Sequence, residues 1–179
     1  KRAANGHPEP YDVKYWSVGN ENYGRWELGA KTVAEWGPLV CESSKLMRSV
    51  TKDLKLLAAA KADKSWTLPL LKAAGQQLDF VSIHGYWDFL THQNNPAPYL
   101  KCMMYTDNPE NSIKETIAIL KEAGHADHIK IAYDEWNLRS WHHPGHGRLR
   151  EGFDIEARKN NDLNFAYTMA DAIFSACFY

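Results

Sequence analysis

The sequence alternates four times between a short apolar stretch and a longer segment with helical periodicity. The apolar stretches predict strands at Val13–Val18, Leu54–Ala59, Phe80–Ile83 and Ile129–Tyr133. Helices are predicted after each strand, at 32–50, 65–74, 113–120 and 163–177. Strands that alternate with helices in this way pair in parallel through right-handed crossovers. The sequence therefore predicts the α/β fold class.

Local signals mark several helix ends. Thr32 and Glu35 have the spacing of a capping box, which predicts a helix start. The Gly37-Pro38 pair falls inside the first turn, where a proline is able to shift that start. Gly124 is the predicted stop of the third helix.

Polar and aromatic residues cluster after three different predicted strands, at 19–22, 84–87 and 134–137. An open sheet binds its ligand at one switch point, whereas a (β/α)8 barrel collects its chemistry from several strand ends. Four βα units suit either architecture, and the three clusters favour the barrel. Because the chain has 179 residues and a complete barrel has about 250, we predict a partial (β/α)8 (TIM) barrel.

Two glutamates, Glu21 and Glu135, lie one to three residues beyond predicted strands and would reach the same face of a parallel barrel. Glycoside hydrolysis requires two carboxyl groups beside one bond, one held protonated and the other ionised. Asn20 is able to hydrogen-bond a sugar hydroxyl, and Trp136 supplies an apolar wall beside Glu135. The simpler alternative is that each glutamate is a solvated loop charge.

Three motifs carry a resemblance to a known family. Residues 15–22, YWSVGNEN, resemble the acid/base strand of clan A retaining glycosidases, and residues 132–137, AYDEWN, resemble their nucleophile strand. Residues 81–87, VSIHGYW, narrow the resemblance to glycoside hydrolase family 51, whose members are mainly α-L-arabinofuranosidases with a few endoglucanases. The motifs follow the order and spacing of the family, and the similarity runs through essentially the whole chain.

The resemblance implies a role for each of five residues. Glu21 would be the general acid/base and Asn20 would hold the sugar 2-hydroxyl. Glu135 would be the nucleophile, and Tyr86 would donate a hydrogen bond to it and keep it ionised. His84 would line the site and contact the acid/base or the sugar. This chemistry requires no cofactor.

The resemblance also implies where the chain lies in the parent fold. Its four strands would be strands four to seven of the barrel, and the C-terminal β-sandwich usual in the family is not in the sequence. Residues 1–179 are thus interpreted as a fragment of a single glycosidase catalytic barrel, since the chain begins without Met and ends inside a helical pattern. We expect this chain alone to be inactive and to associate through its uncovered sheet.

The sequence departs from the family pattern at 22–26, after the first glutamate, and at 138–141, after the second. Trp26 and Trp141, which lie in these segments, are candidates for stacking on the substrate, with core or loop packing as the alternative. Asp134 is predicted to be a structural carboxylate that faces away from Glu135, because successive side chains of a strand alternate.

Composition excludes several other classes. A formal charge of −1 argues against a nucleic-acid or membrane-surface protein, and no apolar run is long enough to span a membrane. The three cysteines form no C-x-x-C pair, which argues against a disulfide scaffold and against a zinc site made of four cysteines. His142 and His146 are separated by Pro144-Gly145, which breaks the helix that i,i+4 ligation would use, so no metal site is predicted.

The predicted activity is retaining hydrolysis of terminal non-reducing α-L-arabinofuranosyl residues in arabinose-containing polysaccharides and oligosaccharides. One alternative is a β-1,4-endoglucanase or another clan A glycosidase, and a second is an inactive carbohydrate-binding fragment. The predicted partner is a carbohydrate substrate, without nucleic acid or membrane, and a homo-oligomer of the full-length protein is left open. A cytoplasmic location is favoured, with secretion left open because the natural N-terminus is interpreted as missing.

Overall fold

The computed structural model describes residues 1–89, 98–140 and 168–179, and these form two compact units. The first unit comprises Lys1–Ser82 and Ile117–Ala132, and the second comprises Ile83–Thr116 and Tyr133–Tyr179. Each unit has its own buried core.

The described residues form four strands and five α-helices. The strands are β1 (Tyr15–Val18), β2 (Lys55–Ala59), β3 (Phe80–Phe89) and β4 (Lys130–Ser140). The helices are α1 (Val33–Val50), α2 (Lys64–Ala74), α3 (Tyr99–Met104), α4 (Asp107–Ala123) and α5 (Met169–Phe178). Short 3-10 helices lie at Ala3–Asn5 and Gly75–Gln77. None of these helices combines the length and the apolar character that a membrane crossing requires.

The strands form one sheet in the order β1-β2-β3-β4. β1 and β2 pair in parallel from Tyr15 opposite Lys55 to Val18 opposite Ala58. β2 and β3 also pair in parallel, from Leu57 opposite Phe80 to Ala59 opposite Ser82. Strands that follow one another in the chain are neighbours in the sheet, and helices lie in the segments that connect them. The predicted α/β fold class is therefore confirmed.

The core of the first unit lies between its helices and one face of β2 and β3. On β2, the buried Leu56 and Ala58 flank the less buried Leu57, as the two-residue period of a strand requires. Helices α1 and α2 pack against each other, and a Cβ at Gly37 would meet the Ala73 side chain at 2.7 Å, so the two helices approach closely at that glycine. The residues of this core with at most 1% exposure include Trp36, Val40, Leu56, Ala58, Leu70, Leu71 and Val81.

The core of the second unit is an aromatic cluster around α5. Cys102, Leu138, Ala170 and Phe174 are buried in it. The rings of Trp136 and Phe178 stack with centroids 3.8 Å apart and planes 7° apart, and partly buried Trp87, Met103 and Tyr105 complete it. Trp136, the predicted apolar wall beside Glu135, is thus part of this core.

Several helix boundaries match their sequence signals. Thr32 and Glu35 form the predicted capping box, and α1 runs through Pro38, so the Gly37-Pro38 pair does not shift the helix start. Gly124 has a φ of 77° directly after α4, as predicted for a helix stop. Helix α3 was not predicted, and the part of the fourth predicted helix before residue 168 lies outside the described residues.

Two strands are longer than predicted, which corrects the placement of the candidate site. His84 and Tyr86 lie within β3, and Glu135 lies within β4, and not after the ends of these strands as predicted. Aromatic residues such as Tyr86, Trp87 and Trp136 favour extended backbone, so the strands continue through the polar residues between them.

Candidate active site

The chain turns sharply where β1 ends, and Glu21 lies in that turn. Gly19 has a φ of 72° and Glu21 a φ of 42°, so both are left-handed. A left-handed residue other than glycine costs roughly 1–2 kcal/mol and persists only where its surroundings impose it. The Gly24 N–H closes the turn by donating to the Glu21 carbonyl oxygen at 2.6 Å.

Asn22 holds this turn in place through two hydrogen bonds to the segment before α1. It is 5% exposed, and its side-chain amide donates to the Gly29 carbonyl at 2.7 Å. Its own backbone carbonyl accepts from the Lys31 N–H, also at 2.7 Å. The segment that follows the turn is therefore fastened to the start of α1, and the position of Glu21 is set by backbone geometry.

Both carboxylate oxygens of Glu21 accept hydrogen bonds from aromatic side chains of the same turn. The Tyr23 hydroxyl donates to Oε1 at 3.2 Å, and the Trp26 indole N–H donates to Oε2 at 2.6 Å. Hydrogen bonds to a carboxylate are shorter and stronger than those between neutral groups. Trp26, the candidate for stacking on the substrate, makes this contact with Glu21 and remains 59% exposed.

Two buried tryptophans support this arrangement. Trp36 and Trp66 stack with centroids 6.2 Å apart, and both indole N–H groups donate to the carbonyl oxygen of Ala59, at 2.9 and 3.3 Å. Tyr23 meets Trp66 edge-to-face at 5.8 Å, and the Lys61 ammonium lies 5.1 Å from the centre of the Tyr23 ring. The hydroxyl that contacts Glu21 thus belongs to a ring fixed by the core of the first unit.

Asn20, the predicted ligand of the sugar 2-hydroxyl, is exposed. Its side-chain amide donates to Glu27 Oε1 at 3.3 Å, a distance typical of a weak hydrogen bond. A sugar hydroxyl could replace this contact at small cost. The role of Asn20 stays a prediction.

In the second unit, two side chains of β3 contact Glu135 on β4. The Tyr86 hydroxyl donates to Glu135 Oε1 at 2.9 Å. The His84 Nδ1 atom lies 3.5 Å from Glu135 Oε2. The hydrogen bond that the family resemblance implied between Tyr86 and Glu135 is therefore present, and the catalytic roles of these residues stay predictions.

Asp134 requires a correction. We expected it to face away from the site, but its Oδ1 atom lies 3.4 Å from His84 Nε2, so one imidazole meets both carboxylates. The Asp134 side chain is 41% exposed, so it meets solvent as well as His84. His84 uses a different nitrogen for each carboxylate, Nε2 for Asp134 and Nδ1 for Glu135.

Two kinds of site prediction stay open. Some fall on residues outside the described ranges, and one concerns a residue pair with one member in each unit. Trp141, His142 and His146 lie outside the described residues. The convergence of Glu21 with Glu135 stays a prediction. Tyr23 was not predicted as a partner of Glu21. The available signal was that Tyr23 lies only two residues after Glu21, in the segment 22–26 that departs from the family pattern.

Comparisons with known proteins agree on one family. The family described as "Alpha-L-arabinofuranosidase 1 domain" matches residues 1–102. An intracellular exo-α-(1→5)-L-arabinofuranosidase 1 of Bacillus subtilis is 30% identical over 149 residues, which are 79% of this chain and 29% of the relative. An intracellular exo-α-(1→5)-L-arabinofuranosidase of Streptomyces lividans is 27% identical over 147 residues, 76% of this chain and 22% of the relative.

Solved structures give the same result. The α-L-arabinofuranosidase of Thermotoga maritima, in complex with arabinose, superposes with a TM-score of 0.75 and 28% identity over 99% of this chain and 32% of the other. The family 51 enzyme of Thermotoga petrophila RKU-1 gives a TM-score of 0.67 with the same identity and coverage. The chain thus spans less than a third of the length of these relatives.

Proposed function

The chain belongs to glycoside hydrolase family 51, the α-L-arabinofuranosidase family, and from this premise we propose that the full-length protein removes terminal non-reducing α-L-arabinofuranosyl residues with retention of configuration. The observation that carries the proposal is the contact of Glu135 with Tyr86, 2.9 Å long, with His84 at the other carboxylate oxygen. A nucleophile that attacks one carbon atom must be held in one orientation, and two contacts from a neighbouring strand provide this.

The proposed reaction has two steps. Glu135 attacks the anomeric carbon, the glycosidic C–O bond breaks, and Glu21 gives its proton to the leaving oxygen. Water then attacks the same carbon, gives a proton to Glu21 and releases Glu135 with both electrons of the ester bond. Asn20 would bind the sugar 2-hydroxyl during both steps, and Trp26 and Trp141 would contact the substrate beyond the reacting ring.

We also propose that β1 to β4 are strands four to seven of a (β/α)8 barrel and that residues 1–179 belong to one catalytic domain. The parallel pairing of β1, β2 and β3 in sequential order supports this proposal, as do the solved relatives. The relatives in Bacillus subtilis and Streptomyces lividans are named intracellular, and the proposal extends that location to this protein. Fractionation of the source cells tests the location.

A glycoside panel tests the activity on the full-length protein. Aryl α-L-arabinofuranoside is compared with aryl β-glucoside, aryl β-xyloside and α-(1→5)-arabino-oligosaccharides, the last chosen from the names of the relatives. Preference for the arabinofuranoside supports the proposal, and preference for the β-glucoside would replace it with the endoglucanase alternative.

Two variants test the roles of the carboxylates. Glu135→Ala should lose activity on every leaving group, because the nucleophile is gone. Glu21→Ala should keep its first step on activated aryl glycosides and regain turnover with azide, which replaces the base-activated water. The matched control is Glu42→Ala, which removes an exposed carboxylate of α1. Azide rescue of neither variant, or a retained azide product from Glu135→Ala, contradicts the assignment.

A further inference from the structure

We propose that Trp26 and Tyr23 are positioning residues that confine the transferable proton of Glu21 to one carboxyl oxygen, Oε1. The proposal rests on the proposed function, because it concerns the acid/base of that reaction. It is carried by the two hydrogen bonds to Glu21, 2.6 Å from the Trp26 indole and 3.2 Å from the Tyr23 hydroxyl.

The two donors differ in a way that fixes the proton. An indole N–H only donates, so Glu21 Oε2 remains an acceptor whether or not the carboxyl group is protonated. A proton on Oε2 would weaken this short bond, because the hydroxyl oxygen of a carboxyl group is a poorer acceptor than its carbonyl oxygen. A phenolic hydroxyl both donates and accepts, and its hydrogen rotates to suit its partner. Oε1 is therefore the oxygen that carries the proton in the acid form.

The surroundings hold both donors in place. The Tyr23 ring lies edge-to-face against Trp66 at 5.8 Å and against Trp26 at 6.4 Å. A Cβ at Gly24 would overlap the Trp26 ring, so the backbone of the turn lies directly against that indole. The left-handed φ of 42° at Glu21 brings the carboxyl group back over residues 23–26. The contacts are therefore built by the turn itself.

The assignment gives each proton a defined path. In the first step the proton leaves Oε1 for the glycosidic oxygen, which keeps the electron pair of the broken C–O bond, and the Tyr23 hydroxyl then donates to the carboxylate. In the second step water gives its proton back to Oε1 as its oxygen bonds to the anomeric carbon. Trp26 donates to Oε2 throughout, so the carboxyl group does not have to rotate between the two steps.

Dependence on the leaving group tests the proposal in the full-length enzyme. Trp26→Phe and Tyr23→Phe keep an aromatic ring and remove the N–H or O–H donor. On substrates with poor leaving groups, which need protonation, kcat/KM should fall about tenfold, a part of the roughly 10²–10⁴-fold that acid–base catalysis contributes, because Glu21 itself is still present. On dinitrophenyl arabinofuranoside, which needs no protonation, it should fall less than about twofold. A merely structural role would lower both classes equally, and that result, or no change in either, overturns the proposal.

Matched controls are available in the same unit. Trp16→Phe removes an indole N–H that donates to the Val13 carbonyl at 2.8 Å, and Tyr11→Phe removes the hydroxyl of a tyrosine that is 67% exposed. Both residues precede the turn that carries Glu21, so both controls should behave as wild type on both substrate classes.

A spectroscopic measurement separates this proposal from the proposed function. In protein labelled with 15N-tryptophan, the indole resonance of Trp26 is identified by its loss in Trp26→Phe. Glu21→Gln should shift that resonance, because the amide is a weaker acceptor than a carboxylate, and should leave the Trp16 resonance in place. An unmoved Trp26 resonance overturns the positioning role even in an active enzyme. A full-length enzyme without activity on any glycoside contradicts the proposed function, whether or not the Trp26 resonance shifts.

Discussion

Tyr86 Oη donates a 2.9 Å hydrogen bond to Glu135 Oε1, and the two residues lie on the neighbouring strands β3 and β4. His84, two residues before Tyr86 on β3, lies 3.5 Å from the other oxygen of the same carboxylate. One strand thus contacts the proposed nucleophile at both oxygens. In the first unit, Glu21 is likewise contacted at both oxygens, but by residues of its own turn.

The first prediction concerns Tyr86. Tyr86→Phe should lower kcat/KM on all arabinofuranosides by roughly 10-fold to 100-fold, the equivalent of one hydrogen bond to a charged group. The loss should be independent of the leaving group, because Tyr86 acts on the nucleophile and not on the proton donor. Steady-state kinetics on the full-length enzyme measure it. Tyr99→Phe, at the exposed start of α3, is the control and should leave kcat/KM unchanged; a Tyr86 variant equal to that control would contradict the prediction.

The second prediction concerns the two tryptophans that share the Ala59 carbonyl. Trp36→Phe leaves the Trp66 donor in place, and Trp66→Phe leaves the Trp36 donor in place. Only the double variant removes both indole donors from this buried carbonyl. A buried carbonyl without a hydrogen bond lowers the free energy of unfolding by about 1–3 kcal/mol. The double variant should therefore be less stable than the sum of the single variants predicts. Denaturant unfolding of all four proteins gives the coupling energy, and strict additivity would show that the two bonds act independently.

The third prediction concerns Asp79, which ties α1 to the starts of β2 and β3. Arg48 and Lys55 each contact its carboxylate at 2.9 Å, and its side chain is 22% exposed. Burial alone would raise the pKa of Asp79, but hydrogen bonds from Lys55, from the Leu56 N–H and from Arg48 outweigh it and hold the pKa below the ordinary value. Asp79→Asn should lower the free energy of unfolding by about 1–3 kcal/mol at neutral pH.

The pH dependence of that difference follows from the direction of the shift. A carboxyl group whose pKa is lowered by folding stabilises the protein above its unfolded pKa of about 3.9 and stops doing so as pH falls through the folded pKa. The gap between wild type and Asp79→Asn should thus be constant from pH 7 to about pH 5 and should close below about pH 4. Glu42→Gln, which breaks an exposed pair with Lys45, should show no such gap. A gap that persists unchanged at acid pH would show that Asp79 stabilises the protein through packing.

The strands and helices of the first unit were predictable because their signals are local. The capping box of Thr32 and Glu35 and the left-handed stop at Gly124 depend on a few neighbouring residues, and both are present. The ends of β3 and β4 were not predictable, since polar residues such as His84 and Glu135 interrupt the apolar pattern without ending the strand. Their partners lie on a neighbouring strand, 49 residues apart along the chain for Tyr86 and Glu135.

The contacts of Glu21 were not predictable from the sequence for a related reason. Asn20, Glu21 and the motif around them suggested an acid/base, but the left-handed conformation at Glu21 reverses the chain and brings Tyr23 and Trp26 to its carboxylate. A glutamate rarely adopts that conformation, so no rule of sequence would assign it. The contact of Asp134 with His84 was missed because alternation along β4 says nothing about which side chains of β3 lie next to it.

The last prediction concerns Gly19, which begins the turn that carries Glu21. Gly6 and Gly19 are both left-handed, with φ of 82° and 72°, but a Cβ at Gly6 meets nothing within 4 Å, whereas one at Gly19 would overlap Asn22 and Trp36. Gly6→Ala should therefore cost only the backbone strain, about 1–2 kcal/mol. Gly19→Ala should cost more, because the buried Asn22 and Trp36 have to move, and it should lower arabinofuranosidase activity by displacing Glu21. Denaturant unfolding and kinetics of both variants measure the two effects. Equal losses of unfolding free energy at Gly6 and Gly19 would contradict the prediction, because a Cβ at Gly19 would then fit without moving Asn22 or Trp36.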